Sequence, residues 1–192
     1  MAVLTKLVNS DKPDNNILFM SYNSTGFNIQ RAEFITDLVS SLGHKNFFLS
    51  IQEHFLMARS VQLIDRLLPD DLCVYSVAAF KEDDIRRGRG KGGLSMIWPK
   101  CIDKFVTRIP IKSTNRVQAC SLKFPSTTII WLNTYFPTDP QMARFDDTEV
   151  SETFAAIKNV INGNAHDQII FQGDLNTDLN RNTKYVLEGK YN

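Results

Sequence analysis

Residues 168–176 read QIIFQGDLN. An apolar run enters a Gly-Asp-x-Asn turn, so a short buried strand delivers a carboxylate, Asp174, and a carboxamide, Asn176, to its end. Working back toward the N-terminus, three more strands finish in polar groups. Ile17-Leu18-Phe19-Met20 ends in Ser21-Tyr22-Asn23, Phe47 to Gln52 ends at Glu53-His54, and Thr128 to Thr134 ends in Asn133-Thr134-Tyr135. A carboxylate beside an apolar strand is costly to desolvate unless something partners it. The four ends are therefore expected to meet at one edge of a sandwich, as oxygen ligands beside amide donors. That donor set suits Mg²⁺ or Mn²⁺ better than zinc, which would draw on Cys and His.

The segments between these ends give the fold class. Helical spacing over 30–42 (Ala32, Phe34, Ile35, Leu38, Val39) and over 55–68 (Phe55, Leu56, Val61, Ile64, Leu67) separates the first strands. The middle differs: Leu72 to Ala79, Gly93 to Trp98, Lys104 to Ile109, Val117 to Lys123 and Thr128 to Thr134 read as strands without helices between them. A third helix is expected over 148–162, ending at Asn162-Gly163. The pattern predicts an α/β domain of sheets packed face to face with helices outside. No G-x-G-x-x-G or P-loop follows the first strand, which argues against a nucleotide-cofactor fold.

A chain of 192 residues with 43% hydrophobic and 22% charged content has the makings of one sizeable core. Its net charge of +1 predicts no partner, so a nucleic-acid binder must concentrate its cations locally. Cys73, Cys101 and Cys120 show no CxxC spacing and are expected to be reduced, mostly buried thiols of a reducing, intracellular compartment. No signal-peptide core or bilayer-spanning run is present in the sequence. Residues 1–16 are expected to form a mobile arm, and 17–192 the domain.

The strand-end residues match the needs of phosphodiester hydrolysis, which must neutralise the phosphate, activate a water and stabilise a leaving oxygen. Glu53 can hold the metal, and Asp174 can orient or deprotonate the attacking water. Asn23 and Asn176 can donate hydrogen bonds without adding negative charge, and the Tyr135 hydroxyl can support a phosphate oxygen. Other readings stay open: Gly-Asp-x-Asn is also good turn chemistry, Asn23 also suits a loop, and Tyr135 also suits a core. His54 follows Glu53, so strand alternation turns it to the other face, where a structural role is expected.

In this order and spacing, SYNSTGF, IQEH, NTYFP and QGDLN resemble the motifs of the endonuclease/exonuclease/phosphatase superfamily, and QGDLN resembles its GDxN motif. RRGRGKGGLSMIW and SYNSTGF are most similar to the endonuclease domains of non-LTR retrotransposons. The resemblance covers about residues 17–180. It implies a four-layer αββα sandwich like deoxyribonuclease I. It also implies Mg²⁺-dependent nicking of DNA, with Glu53 and Asn23 at the metal and Asp174, Asn176, Tyr135 and Asn23 in catalysis. A neighbouring reverse transcriptase domain and access to the nucleus would accompany that activity. Alternatives on the same fold are an abasic-site nuclease, a ribonuclease or deadenylase, and a phosphatase.

The family pattern closes with a Ser-Asp-His motif, and His44, His54 and His166 stand in no such context. The sequence is therefore expected to lack the C-terminal strands of the sandwich. Two expectations follow: self-association through an uncovered sheet edge, and, as an alternative of another class, a binding module with impaired chemistry. Arg86, Arg87, Arg89 and Lys91, interleaved with glycines, are expected to contact the phosphate backbone or to form a solvated hairpin tip.

Overall fold

The computed structural model describes residues 2–7, 17–43, 46–79, 92–136 and 147–176. Among the described residues nine strands form two sheets. The first holds β1 (Ala2–Leu7), β2 (Ile17–Asn23), β3 (Phe47–Gln52), β4 (Leu72–Val77) and β5 (Leu94–Pro99), in the order β1-β2-β3-β5-β4. The second holds β6 (Val106–Ile109), β7 (Val117–Phe124), β8 (Thr127–Tyr135) and β9 (Gln168–Asp174), in that order.

Among the described residues two neighbouring pairs are parallel, β2 with β3 and β8 with β9. Parallel neighbours need a crossover, and each pair has one helix to provide it. Helix α1 (Ile29–Ser41) joins β2 to β3, and α3 (Asp147–Gly163) joins β8 to β9. Asn28 starts α1 by accepting the Arg31 amide at 2.9 Å, satisfying one of the free N–H groups of the first turn.

Strand alternation sorts the side chains into three apolar layers. Met20, Leu49, Ile51 and Ile97 pack against Ala32 and Ile35 of α1 and Ile64 of α2 (Leu63–Leu67). Between the sheets, Phe19, Phe48, Met96 and Trp98 meet Cys120, Leu122, Ile129, Trp131 and Ile170. On the far side, Ala119, Ile130 and Leu132 pack on Ala156, Ile157 and Val160 of α3. The result is the expected helix, sheet, sheet, helix stack. Phe48 anchors its centre, with ring centroids 5.0 Å from Phe19 and 5.1 Å from Trp131.

Four expectations are corrected. Residues 2–7 pair antiparallel with β2 rather than belonging to an arm, with Leu7 opposite Ile17 and Ala2 opposite Tyr22. The helix expected over 55–68 is confined to Leu63–Leu67: Phe55 donates its N–H to the Gly92 carbonyl, the Leu56 carbonyl accepts from Ala79, and residues 58–62 form turns. The strand expected from Lys104 begins at Val106, after a 3-10 turn over Lys100–Phe105. That turn leaves Cys101 exposed, and Cys73 is half-buried, so Cys120 alone is a buried thiol. No helix of the described residues is long and apolar enough to cross a membrane. Among the described residues β9 ends its sheet, and its outward Ile169 and Phe171 are 42% and 44% exposed.

Candidate active site

Four parallel-paired strands run in two pairs, one in each sheet, and their C-terminal ends hold the chemistry. Asn23 closes β2 and Glu53 follows β3, while Tyr135 and Asp174 close β8 and β9 in direct register. Ligands of α/β sheets bind outside such carboxyl ends, where the backbone leaves the sheet and side chains converge.

The five residues form one linked group. Asn23 Nδ2 donates to Asp174 Oδ2 at 2.6 Å, and the Asn176 backbone N–H donates to Asp174 Oδ1 at 2.9 Å. Each carboxylate oxygen thus accepts one fixed donor and keeps a lone pair for a water. Asn176 Nδ2 donates to the carbonyl of Phe136 at 2.6 Å, which anchors the turn after β9. The Tyr135 hydroxyl lies between Glu53 and Asn176. Its pKa is pushed far above the ordinary phenol value, first by burial and then by its hydrogen bond to the Glu53 carboxylate and by that negative charge. Tyr135 therefore stays a proton donor.

Asn23 is committed on both sides of its carboxamide. Its Oδ1 accepts from the Thr25 N–H at 3.0 Å and from the Thr25 hydroxyl at 3.2 Å. What it offers the site is a grip on Asp174. Arg86, Arg87, Arg89 and Lys91 lie outside the described residues.

Backbone strain concentrates here. Glu53 has φ +56° and Asn176 φ +46°, in the left-handed region that costs an L-residue with a Cβ. Glu53 is held there by the Gly26 N–H, which donates to its carbonyl at 2.6 Å, with Ser24 and Phe27 bonded to Gln52 and His54 on either side. Gly173, at φ +145°, lets β9 lie against β8: a Cβ there would collide with the Thr134 carbonyl.

His54 is buried, although it lies past the end of β3 where strand alternation no longer applies, and its ring fastens the loop there. Leu56 N–H donates to Nδ1 at 3.0 Å, so the proton sits on Nε2 and is donated to the Val77 carbonyl at 3.0 Å. Burial lowers its pKa from 6.5 to about 4. Gly93 packs directly on this ring and has no room for a side chain.

Sequence reading missed Arg116. Its guanidinium lies 5.5 Å from the centre of the Tyr135 ring and pairs with Glu149 of α3 at 2.7 Å. The signal available, a lone Arg before β7, is too common to single out. Also missed was the polar floor under the site: Ser50, Gln52, Gln118, Asn133 and Gln172 are all buried.

Among the described residues no three His, Cys, Asp or Glu side chains gather into a metal cluster. Two carboxylates with amides around them nonetheless fit a hard cation of the Mg²⁺ kind, which keeps most of its waters and takes one or two protein carboxylates. They do not fit a structural zinc.

No protein-family model matches the sequence, and no curated protein does. Solved structures do. The AP endonuclease of Leishmania major superposes with a TM-score of 0.58 at 18% identity, over 83% of this chain and 55% of that one. A truncated Caenorhabditis elegans TDP2 gives 0.52 at 16%, over 83% and 62%. The 3′ phosphatase NExo from Neisseria, bound to product DNA hairpin, gives 0.55 at 14%, over 82% and 57%. This chain thus spans between 55% and 62% of the length of these relatives. All three belong to the endonuclease/exonuclease/phosphatase superfamily. The chain shares their fold, the deoxyribonuclease I-like αββα sandwich.

Proposed function

We propose that the chain is a metal-dependent phosphodiesterase that nicks DNA. The observation that supports this best is the linkage of Asn23, Glu53, Tyr135, Asp174 and Asn176 at the carboxyl ends of four strands drawn from both sheets. Glu53 would hold Mg²⁺ or Mn²⁺, which supplies charge to the phosphate oxygens when bound. Asp174, with both oxygens oriented by Asn23 and Asn176, takes a proton from the attacking water. Tyr135, which keeps its proton, donates to a non-bridging or leaving oxygen. Arg116, stacked on Tyr135, adds a positive charge at the mouth of the site.

DNA as substrate is supported by NExo, which carries a DNA product on the same fold. The retrotransposon type, with its reverse transcriptase neighbour and entry to the nucleus, is supported by the motif resemblance of SYNSTGF and RRGRGKGGLSMIW. Self-association through β9 is supported by its exposed Ile169 and Phe171, and size-exclusion chromatography tests it.

The decisive assay compares supercoiled plasmid, abasic duplex, poly(A) and a phosphoinositide, each with Mg²⁺ or Mn²⁺. Nicking of plasmid that disappears in Glu53→Gln and Asp174→Asn is expected. Turnover of poly(A) or the lipid in preference to plasmid would replace DNA as substrate. A parent chain that binds DNA and cuts nothing would make it a binding module.

A further inference from the structure

Beneath the candidate site the two sheets are joined by carboxamides. Gln52 Nε2 donates to Asn133 Oδ1 at 2.7 Å, and Asn133 Nδ2 donates onward to the carbonyls of Ile51 and Ser95, each at 3.0 Å. One layer deeper, Ser50 Oγ donates to Gln172 Oε1 at 2.9 Å, and Trp131 Nε1 donates to the same oxygen at 2.8 Å. Gln52 is 1% exposed and Asn133 fully buried. Ser21 Oγ donates to Gln52 Oε1 at 3.2 Å, so the carboxamide of Gln52 is held at both ends.

Such groups are costly inside a core unless every bond is made, and an apolar core needs none of them. Their placement suggests what they are for. Hydrophobic contact is non-directional and tolerates sliding of one sheet on the other, whereas a hydrogen bond fixes separation to tenths of an ångström. Gln52 immediately precedes Glu53, and Tyr135 and Asp174 stand two residues beyond Asn133 and Gln172, on the same strand faces.

We propose that Gln52 and Asn133 are positioning residues: a cross-sheet brace that sets the distance from Glu53, on one sheet, to Tyr135 and Asp174 on the other. The proposal rests on the reading of Glu53 as metal holder and Asp174 as base. A displacement of about 1 Å in such a pair costs on the order of 10²-fold in rate, so the brace works on kcat.

The test exchanges the two side chains. Gln52→Asn shortens the brace by one methylene, Asn133→Gln lengthens it, and the double exchange restores the span. Each single variant should lower kcat at least about tenfold with KM within about threefold, and the double exchange should recover most of it. Ser21→Ala, a gentler change that removes one bond to Gln52 and keeps the brace length, should lower kcat per folded molecule severalfold, with a lower melting temperature from the unpaired Gln52 oxygen.

Mn²⁺ affinity, followed by electron paramagnetic resonance, reads the same geometry without turnover. An inactive parent whose Mn²⁺ affinity falls in the singles and returns in the double exchange would uphold the brace while defeating the nuclease reading. Single variants that are folded, with kcat and Mn²⁺ affinity unchanged, overturn the brace, as does a double exchange no better than the worse single.

Discussion

Asn23 holds Asp174 across the gap between the sheets, its side-chain amide donating to Oδ2 at 2.6 Å over a separation of 151 residues. A base that must face a water in one orientation needs such a grip. Asn23→Ala should therefore lower kcat by about 10²-fold while leaving KM nearly unchanged. Asn23→Asp keeps the size but sets a second negative charge against the first. Its pH–rate profile should show the acid limb moved to higher pH. Steady-state kinetics over pH 5 to 9 read both effects, and an Asn23→Ala enzyme with parental kcat would remove the residue from the site.

Glu53 sits at φ +56°, a conformation that glycine adopts freely and other residues do not. This is backbone strain held by the Gly26 amide, and it can be measured apart from catalysis. Glu53→Gly should be more stable than Glu53→Ala by about 1 kcal/mol, although neither should cut DNA. Urea melts of the two variants decide it. Equal stability would mean the loop relaxes on its own and stores nothing.

These two residues also mark how far the sequence could be read. The strand ends were legible because buried apolar runs that finish in Asn, Glu, Tyr or Asp stand out against the chemistry of their neighbours. The βαβ connections that bring those ends together follow from the helical spacing before Gly43 and Gly163. Segment 55–68 misled because Phe55 and Leu56 have helical spacing with Val61 and Ile64, yet their backbones are bonded to Gly92 and Ala79, far away in the chain. The bonds of Asn23 were hidden for a related reason: its oxygen accepts from Thr25 two residues on, and no pattern reveals which lone pair is already used. Arg116 and the carboxamide floor are contacts through space between strands, and a one-dimensional pattern does not contain them.

His54 makes stability depend on pH. Its folded pKa is about 4, below the 6.5 of the ordinary ring, because burial opposes the charge. Between those values the unfolded chain takes up a proton that the native chain refuses, so stability falls as pH drops from about 6.5 toward 4. The whole effect is about 3 kcal/mol. His54→Gln starts less stable near neutrality but lacks this slope. The gap between parent and variant should narrow toward pH 4 in thermal melts with EDTA present. A constant gap would mean that the ring titrates normally.

Gly173 precedes Asp174 at φ +145°, and a Cβ there would meet the Thr134 carbonyl on the paired strand. The collision involves backbone, which cannot swing aside as a side chain would. Gly173→Ala should cost at least about 2 kcal/mol and displace Asp174 as well. Activity should then fall by more than the loss of folded protein explains. Circular dichroism melts with kcat corrected for active fraction separate the two, and a parental kcat per folded molecule would show that β9 adjusts.

Arg116 tests the electrostatic part of the reading. Its guanidinium stacks on Tyr135 and is held by Glu149 at 2.7 Å, and among the described residues Glu149 is its one side-chain hydrogen-bond partner. A cation that contacts one phosphate releases about one counterion, so log affinity for DNA against log salt should lose about one unit of slope in Arg116→Gln. Glu149→Gln removes the competing carboxylate and keeps the cation, so its slope should match the parent while affinity rises modestly. Binding isotherms on a short duplex between 50 and 200 mM salt measure both variants, over roughly the range in which phosphate contacts dominate affinity. If Arg116→Gln leaves the slope untouched, the guanidinium serves only to pack Tyr135, and the phosphate must find its positive charge elsewhere.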